Sequence, residues 1–333
     1  MDNSVALESN DEFAMHLDSI SGSDHIPEIQ EAMECDNSCS HPVVLKQICV
    51  TCDQSVESEY GVSFGYVRPG LRFTQKEADR LREIGTNYLL SQKRLLLVLD
   101  LDNTLIHSVK VENLSPEEKH IENFVKDNNG KRGLFSVHCV PPRIVKLRPF
   151  VQKFLEEAST MFEMYVYTTG SRSYAMDMIK FLDPQNKYFN LKLIAREDST
   201  RTLTKDLDVV LGEERAVVIL DDTEQAWPMH RANLIPVQRY SYFAFNNSVG
   251  RKFKSLAERK MDEAKQVLGR YLETLKGIHS QFFDQELGVD LATRDVREVI
   301  KMVKSNSPKG TDALKGCSAN IGKKSEQFAP KRQ

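Results

Sequence analysis

The sequence predicts an α/β fold whose sheet is mostly parallel and covered by helices on both faces. Short apolar runs, "LLLVLD" (95–100), "FEMYVY" (162–167) and "AVVILD" (216–221), are typical of strands buried on both faces. Segments with helical periodicity, "PFVQKFLEEAS" (149–159) and "SYAMDMIKFLD" (173–183), separate these runs. Strands that alternate with helices in this way form parallel sheets.

Composition divides the chain around this core. Residues 1–60 contain 13 Asp and Glu against one lysine, Lys46, whereas 301–333 contains eight Lys and Arg against two acids. Such charged ends are typical of solvated segments, and the basic tail alone does not predict nucleic-acid binding. We predict a disordered acidic segment (1–34), a Cys/His-rich segment (35–60), an α/β domain (73–245), a helical extension (246–304) and a disordered basic tail (305–333).

Two features bear on location. No stretch approaches the ~18 consecutive apolar residues that a membrane helix needs. The N-terminus is acidic where a secretory or mitochondrial signal is basic. We therefore expect a soluble intracellular protein without a membrane partner.

Two further local patterns extend the core. Thr74, with Glu77 three residues later, is typical of a capping box, and it predicts a helix that leads into the strand at 95–99. The polar segment 109–146 contains an Asn-Asn-Gly turn signal and an alternating run around 134–140. We expect a small hairpin insertion there, too small and too polar to be a large cap domain.

The predicted strands end in residues that carry chemistry. Because the carboxyl ends of parallel strands meet at one rim of the sheet, the groups that follow them are expected to lie together. They comprise four carboxylates, a hydroxyl and an ammonium from a nearby loop: Asp100, Asp102, Asp221, Asp222, Thr168 and Lys205. Clustered carboxylates repel one another, and a divalent cation with a preference for oxygen, such as Mg²⁺, relieves this repulsion while leaving room for a phosphate.

This set predicts phosphoryl transfer. Asp100, at the strand end, can be a covalent nucleophile, and Asp102 can protonate the leaving oxygen and later deprotonate water. Thr104 and Thr168 can donate hydrogen bonds to phosphoryl oxygens, and Lys205 can stabilise their charge. The competing interpretation is that acidic residues after strands cap the next helix. The ordered combination of all these groups favours catalysis.

At these residues the sequence resembles the haloacid dehalogenase superfamily, and within it the TFIIF-associating phosphatases of the RNA polymerase II C-terminal domain (CTD). Four segments are similar to the motifs of the superfamily: "LVLDLDNTLIHS" (97–108), "VYTTGSRSYA" (166–175), "TKDL" (204–207) and "VVILDDTEQAWP" (217–228). The segment "KLRPFVQKFL" (146–155) adds to the likeness with the CTD phosphatases, whose short plant members are the most similar.

The resemblance implies a Rossmann-like haloacid dehalogenase fold and a catalytic domain at 73–245. It implies that Asp100 is phosphorylated, that Asp102 is the general acid and base, and that Thr168 and Lys205 contact phosphate. Mg²⁺ would be bound by the side chains of Asp100 and Asp222 and the carbonyl of Asp102, supported by Asp221. Arg196 matches a substrate-contacting position in relatives. The insertion would flank the peptide groove.

The implied substrate is a phosphoserine in the heptad repeats of the polymerase CTD, and the implied location is the nucleus. TFIIF is an implied partner, and we expect a monomer that does not contact nucleic acid directly. Relatives usually continue into a BRCT domain. Here "LKGC" (314–317) begins like its first strand and then loses the apolar pattern, so we expect a truncated form with weakened recruitment to the polymerase tail.

Cysteines cluster near the N-terminus in "CSHPVVLKQICVTC". Cys39, His41, Cys49 and Cys52 offer four ligands in two close pairs, which fits a tetrahedral Zn²⁺ site. Cys35 can substitute for His41. Because the spacing between the pairs is short for the common zinc fingers, reduced cysteines that bind no metal are the alternative.

Two rival functions differ in class from a protein phosphatase. One is a catalytically silent module that uses the fold to bind a phosphopeptide or partner. The other is a small-molecule phosphatase, which usually carries the cap domain not expected here. The complete set of catalytic residue types favours the enzyme.

Overall fold

The fold is described from a computed structural model, which describes residues 39–137, 140–190, 192–244, 254–284 and 290–306. The strands are β1 Val43–Leu45, β2 Ile48–Cys49, β3 Val62–Ser63, β4 Leu71–Phe73, β5 Leu95–Leu99, β6 Ile106–Lys110, β7 Leu134–Val137, β8 Arg143–Leu147, β9 Phe162–Tyr167, β10 Leu193–Ile194, β11 Val217–Asp221 and β12 Leu234–Pro236. The helices are α1 Gln75–Ser91, α2 Lys119–Asp127, α3 Val151–Ala158, α4 Arg172–Leu182, α5 Lys265–Phe282 and α6 Val296–Asn306. The acidic segment 1–34 and the tail from 307 onward lie outside the described residues.

The central sheet has five strands in the order β10-β9-β5-β11-β12, and each of these pairings is parallel. All five residues of β5 are fully buried because the strand lies in the middle of the sheet. The parallel sheet predicted from the apolar runs is therefore confirmed. Its three central strands, β9, β5 and β11, end at the same rim.

Two of the helices, α1 and α4, begin at a residue whose side chain caps the first turn. Thr74 accepts a hydrogen bond from the backbone N–H of Glu77 at 3.2 Å, which starts α1. The side chain of Ser171 likewise accepts a hydrogen bond from the backbone N–H of Tyr174 at the start of α4. These two bonds satisfy backbone donors that the first helical turn leaves without a partner.

The insertion is larger than a hairpin. The predicted hairpin is formed by β7 and β8, and β6 joins it as the third strand of an antiparallel sheet. Helix α2 packs on this sheet through Ile121 and Val125, and together they build a second, smaller apolar cluster beside the main core. Strand β6 begins two residues after Thr104, so the insertion is attached directly to the first motif.

An N-terminal antiparallel sheet, which the sequence did not predict, has the order β2-β1-β4-β3. Leu71 and Phe73 of β4 are fully buried in the main core. The hydroxyl of Tyr66 donates to the carbonyl of Val209 at 2.9 Å, which joins this sheet to the segment that follows Lys205. Among the described residues, no helix is long and apolar enough to cross a membrane.

Candidate active site

Three strand ends bring the predicted site residues together. Asp100 directly follows β5, Thr168 directly follows β9, and Asp221 is the last residue of β11. The backbone N–H of Asp100 donates to the carbonyl of Leu220 at 3.0 Å, which continues the pairing of β5 with β11 up to the site. The register of the central sheet therefore sets how the carboxylates are spaced.

Lys205 lies at the centre of this rim. Its ammonium donates to Oδ1 of Asp100 at 2.6 Å and to Oδ2 of Asp221 at 2.7 Å, and the residue is 2% exposed. The same ammonium lies over the rings of Tyr167 and Trp227, at 5.7 and 5.6 Å from their centroids. A buried ammonium is stable only when it is paired, and here two carboxylates and two aromatic faces surround it.

Asp221 and Asp222 are held in different ways. Oδ2 of Asp221 also accepts from the indole N–H of Trp227 at 2.8 Å, so this carboxylate is fixed from inside the protein. The carboxylate of Asp222 accepts from Arg239 at 2.8 Å, and its backbone N–H donates to the hydroxyl of Thr104 at 3.2 Å. Asp221 is therefore held by the buried Lys205 and Trp227, whereas Asp222 is held by the exposed Arg239 and by Thr104.

The carboxylate of Asp102 is held by a tyrosine. The Tyr174 hydroxyl donates to Oδ1 of Asp102 at 2.5 Å and lies 2.7 Å from the Ser108 hydroxyl. Asn103, between Asp102 and Thr104, has a φ of 65°, a left-handed conformation that asparagine tolerates, and its side-chain amide donates to the carbonyl of Tyr240. The turn after β5 is thus fixed by its own backbone and by the helix α4.

Three carboxyl groups of the site, those of Asp100, Asp102 and Asp222, have raised pKa values. Burial raises the pKa of Asp100 to about 8, against the opposing attraction of the Lys205 ammonium. Burial also raises the pKa of Asp102, although the hydrogen bond from Tyr174 opposes the shift, and burial raises the pKa of Asp222. The pKa of Lys205 is raised because its neighbouring carboxylates outweigh its burial. The site is therefore short of positive charge.

The carboxylate cluster (Asp100, Asp221 and Asp222) fits a divalent cation. One carboxylate oxygen from each residue lies within 4.8 Å of the other two. Lys205 pairs with Asp100 and Asp221, and Arg239 pairs with Asp222. Hard oxygen ligands of this kind are those that Mg²⁺ prefers. Within the described part of the chain, no hydrogen-bond donor reaches Oδ2 of Asp100, so that oxygen remains open to a cation or a substrate.

Two predicted substrate contacts lie on the neighbouring strand ends. The hydroxyl of Thr168 accepts from the backbone N–H of Gly170 at 3.0 Å, and Thr168 is 1% exposed. The backbone N–H of Arg196 donates to the carbonyl of Gly170 at 3.0 Å, while the Arg196 side chain is exposed. Thr104 is fully buried and its hydroxyl faces the Asp222 backbone, so the bond in this structure positions the Asp222 loop.

Several contacts at the site were not predicted. The guanidinium of Arg148, 1% exposed, donates to both carboxylate oxygens of Glu263 at 2.7 and 2.9 Å and to the carbonyl of Thr104 at 3.0 Å. His107 lies in β6, and its Nδ1 accepts from the backbone N–H groups of Tyr242 and Phe243. His107 therefore has a structural role.

The predicted zinc ligands also come together. Ligand atoms of Cys39, His41, Cys49 and Cys52 lie within 4.8 Å of one another, in the N-terminal sheet. His41 is a member of this group, whereas Cys35 lies outside the described residues. This Cys/His cluster is separate from the carboxylate cluster and shares no residue with it.

Comparison with known proteins identifies the family. The family model described as NLI interacting factor-like phosphatase matches residues 95–268, which is more than half of the chain. The chain belongs to this family. The match spans β5 to the start of α5 and so contains every residue of the carboxylate cluster, together with Asp102, Thr168 and Lys205.

Individual relatives agree with the predicted resemblance. The chain is 40% identical over 297 residues to RNA polymerase II C-terminal domain phosphatase-like 4 of Arabidopsis thaliana, covering 87% of this chain and 66% of that protein. It is 31% identical over 224 residues to the RNA polymerase II C-terminal domain phosphatase of Homo sapiens, covering 62% of this chain and 22% of that protein. The chain therefore spans less than two thirds of these relatives.

A solved structure shares the fold. The structure of Fcp1, described as an essential RNA polymerase II CTD phosphatase, superposes with a TM-score of 0.54 at 22% identity, over 67% of this chain and 74% of that chain. A second structure, fission yeast Fcp1 bound to beryllium fluoride, has a TM-score of 0.53 at 21% identity and covers the same shares. The haloacid dehalogenase-type fold expected from the motifs is confirmed.

Proposed function

We propose that this chain is a Mg²⁺-dependent protein serine/threonine phosphatase that dephosphorylates the heptad repeats of the RNA polymerase II CTD through an aspartyl-phosphate on Asp100. One observation carries the proposal. Lys205 is buried between Asp100 and Asp221 with Asp222 beside them, an arrangement that is costly unless charge is needed there. A site that combines carboxylates, an ammonium and an open oxygen suits phosphoryl transfer.

Asp100 acts as the nucleophile in this proposal. Lys205 holds Oδ1, which leaves Oδ2 to attack the phosphorus of the phosphoserine. A bond forms between Oδ2 and phosphorus while the bond between phosphorus and the serine oxygen breaks. In the second step a water oxygen bonds to phosphorus, the bond to Asp100 breaks, and inorganic phosphate leaves.

Asp102 moves the proton in both steps. Its protonated carboxyl gives a proton to the departing serine oxygen, and the resulting carboxylate takes a proton from the attacking water. The raised pKa of Asp102 suits the first role, and the hydrogen bond from Tyr174, which opposes that rise, suits the second. Residue Asp102 therefore returns to its starting state after each turnover.

The remaining groups hold the phosphate and the metal. Lys205 and Thr168 would contact phosphoryl oxygens, and the exposed Arg196 would contact the peptide. Mg²⁺ would be held by Asp100 and Asp222 and the carbonyl of Asp102, with Asp221 in support. When bound, it supplies positive charge that offsets the phosphate.

The substrate rests on the relatives, whose names describe CTD phosphatases. We further propose that the chain acts in the nucleus in transcription regulation, that TFIIF is a partner, and that the chain is monomeric. The insertion supports a peptide substrate, because β6 runs directly from the catalytic turn and its Ser108 contacts Tyr174 beside Asp102. A bound peptide would lie along this sheet.

The deciding experiment measures phosphate release from a serine-phosphorylated heptad-repeat peptide, in Mg²⁺ and in EDTA. We expect turnover in Mg²⁺ that is lost in EDTA and in Asp100→Asn, and retained in Asp177→Asn, an acidic side chain of α4 paired with Lys180. Mg²⁺ binding is followed separately through the fluorescence of Trp227, the single tryptophan, which lies against Lys205. If the wild-type chain binds the peptide in Mg²⁺ but releases no phosphate, the enzyme interpretation is wrong, and the chain is the catalytically silent binding module.

A further inference from the structure

The Cys/His cluster (Cys39, His41, Cys49 and Cys52) plays no part in the phosphatase chemistry, yet it gathers four metal-binding side chains at one point. Sγ of Cys52 lies 3.3 Å from Nδ1 of His41, and Sγ of Cys39 lies 3.9 Å from Sγ of Cys49. We propose that these four side chains bind one Zn²⁺ in a closed tetrahedral site that stabilises the N-terminal sheet.

The distances fit such a site. With zinc bonds of about 2.3 Å to sulfur and about 2.0 Å to nitrogen, a tetrahedron places two sulfurs about 3.8 Å apart and a sulfur and a nitrogen about 3.5 Å apart. The observed separations of 3.9 and 3.3 Å lie close to these values. All four ligand atoms lie within 4.8 Å of one another.

A disulfide does not account for the cluster. The Sγ atoms of Cys39 and Cys49 are 3.9 Å apart, whereas a disulfide bond is about 2.0 Å long. Three thiols and an imidazole that converge without a metal gain only weak hydrogen bonds. Zinc explains both the types of side chain and their convergence.

The local backbone supplies an independent argument. Strands β1 and β2 are joined by Lys46 and Gln47, which have φ values of 48° and 68°, and His41 and Asp53 have φ values of 45° and 56°. Residues with a Cβ adopt this left-handed conformation at a cost, and a hairpin of two or three residues per strand is marginally stable alone. A metal that joins residues on both sides of the hairpin stabilises it, as metals do in small β-rich modules.

Hydrogen bonds and strand pairing connect the proposed zinc site to the main core. Thr74 donates its backbone N–H to the carbonyl of Pro42, next to His41, and β1 pairs with β4. Strand β4 is buried in the main core, and Tyr66, in the turn between β3 and β4, bonds to Val209, four residues after Lys205. Zinc would therefore stabilise the sheet that supports one side of the Lys205 segment.

The experiment measures metal content of the full chain, purified under reducing conditions without chelators, by inductively coupled plasma mass spectrometry. We expect one zinc per chain in the wild type and in Asp222→Asn, which alters the carboxylate cluster. The double variant Cys49→Ser/Cys52→Ser is expected to lose the zinc, whereas Cys317→Ser, a cysteine remote in sequence, keeps it. Because the readout is bound metal, the result does not depend on phosphatase activity.

A second variant covers the case in which the double variant does not fold. His41→Cys keeps four ligands, so we expect it to retain one metal, and after Co²⁺ replacement its visible spectrum should differ from that of the wild type because a thiolate replaces the imidazole. Two results would overturn the proposal: a folded wild-type chain that binds no zinc when Zn²⁺ is supplied, or zinc that persists in the double variant and disappears in Asp222→Asn.

Discussion

The hydroxyl of Tyr174 donates a hydrogen bond to Oδ1 of Asp102, a residue 72 positions earlier in the chain. The guanidinium of Arg143 lies over the Tyr174 ring, 5.1 Å from its centroid, and also donates to the hydroxyl of Ser108. Helix α4 and the insertion sheet therefore hold the same carboxylate in one orientation. Under the proposed mechanism, this places Tyr174 as the positioning residue for the general acid and base.

We expect Tyr174→Phe to lower kcat by about 10- to 100-fold while changing KM little, because a hydrogen bond to a charged group contributes about 1.5–3 kcal/mol. The bond also lowers the pKa of Asp102 against the effect of burial. Its loss raises the pKa of Asp102, so both limbs that this residue sets in the pH profile of kcat, the basic limb through its role as acid and the acidic limb through its role as base, should move to higher pH. Steady-state kinetics on the phosphopeptide across a pH series measures both effects.

The matched control is Tyr88→Phe, which removes the hydroxyl of an exposed tyrosine on α1. Its kinetics and pH profile should equal those of the wild type. If Tyr174→Phe shifted neither kcat nor either limb, the hydrogen bond to Asp102 would have no part in the reaction.

Two lysines that are buried in the described part of the chain allow catalysis and stability to be tested separately. Lys205 pairs with Asp100 and Asp221, and Lys146, 3% exposed, pairs with Asp262 at 2.7 Å in the insertion sheet. Removing one partner of a buried ion pair costs about 3–5 kcal/mol because the other charge is left uncompensated. We expect both Lys205→Met and Lys146→Met to lower the free energy of unfolding.

Their kinetics should differ. Lys205→Met is expected to lower kcat at least about 100-fold, because the ammonium no longer offsets charge on the phosphate. Lys146→Met should retain kcat per folded molecule. Denaturant unfolding, run beside the phosphopeptide assay, gives both quantities. If the two variants had equal kcat values, Lys205 would have no part in the proposed chemistry.

The parts of the site that follow strand ends could be predicted from the sequence. An apolar run marks β5 and β11, and a parallel sheet brings the residues after them to one rim, so Asp100 and Asp221 were expected to meet. Thr74 was confirmed as the residue that caps α1, because the capping signal and its structure are both local. The reciprocal bond of a capping box is not formed, since the backbone N–H of Thr74 donates to the carbonyl of Pro42.

The sequence contains no local pattern that predicts contacts between distant segments. Tyr174 meets Asp102 across 72 residues, and Arg148 meets Glu263 across 115, and neither pair has a periodicity that identifies it. The N-terminal sheet was missed because its strands have two or three residues, too few for an alternating pattern. The third strand of the insertion was missed because β6 begins inside the first motif.

The ion pair of Arg148 and Glu263 links the helical extension to the catalytic turn. Arg148 also donates to the carbonyls of Thr104 and Gln238 at 3.0 and 2.9 Å, and Glu263 lies two residues before α5. Because the guanidinium makes a two-pronged contact that lysine cannot reproduce, we expect Arg148→Lys to lower the free energy of unfolding by about 2–4 kcal/mol. Chemical denaturation of the full chain measures the change.

The matched control is Arg80→Lys, an exposed i,i+3 partner of Glu77 on α1, which should change stability by less than about 0.5 kcal/mol. An Arg148→Lys chain as stable as this control would show that the fork geometry is not needed, and that any positive charge at this position suffices.

The pKa of Asp100 makes the stability of the metal-free chain depend on pH. Burial raises this pKa from 3.8 to about 8, so between these values the folded chain binds more protons than the unfolded chain. The free energy of unfolding must then fall as pH rises through this interval. Mg²⁺ competes with the proton, so it should stabilise the chain more at pH 8 than at pH 5.5.

Asp100→Asn isolates this contribution because asparagine does not titrate. In EDTA we expect the wild type to lose about 3 kcal/mol more than the variant between pH 5.5 and pH 8, measured by denaturant unfolding at both values. Other titrating groups, including histidines, are common to the two chains and cancel in the comparison. Equal losses would mean that Asp100 is ionised across the whole range without metal, and that Lys205 alone compensates its charge.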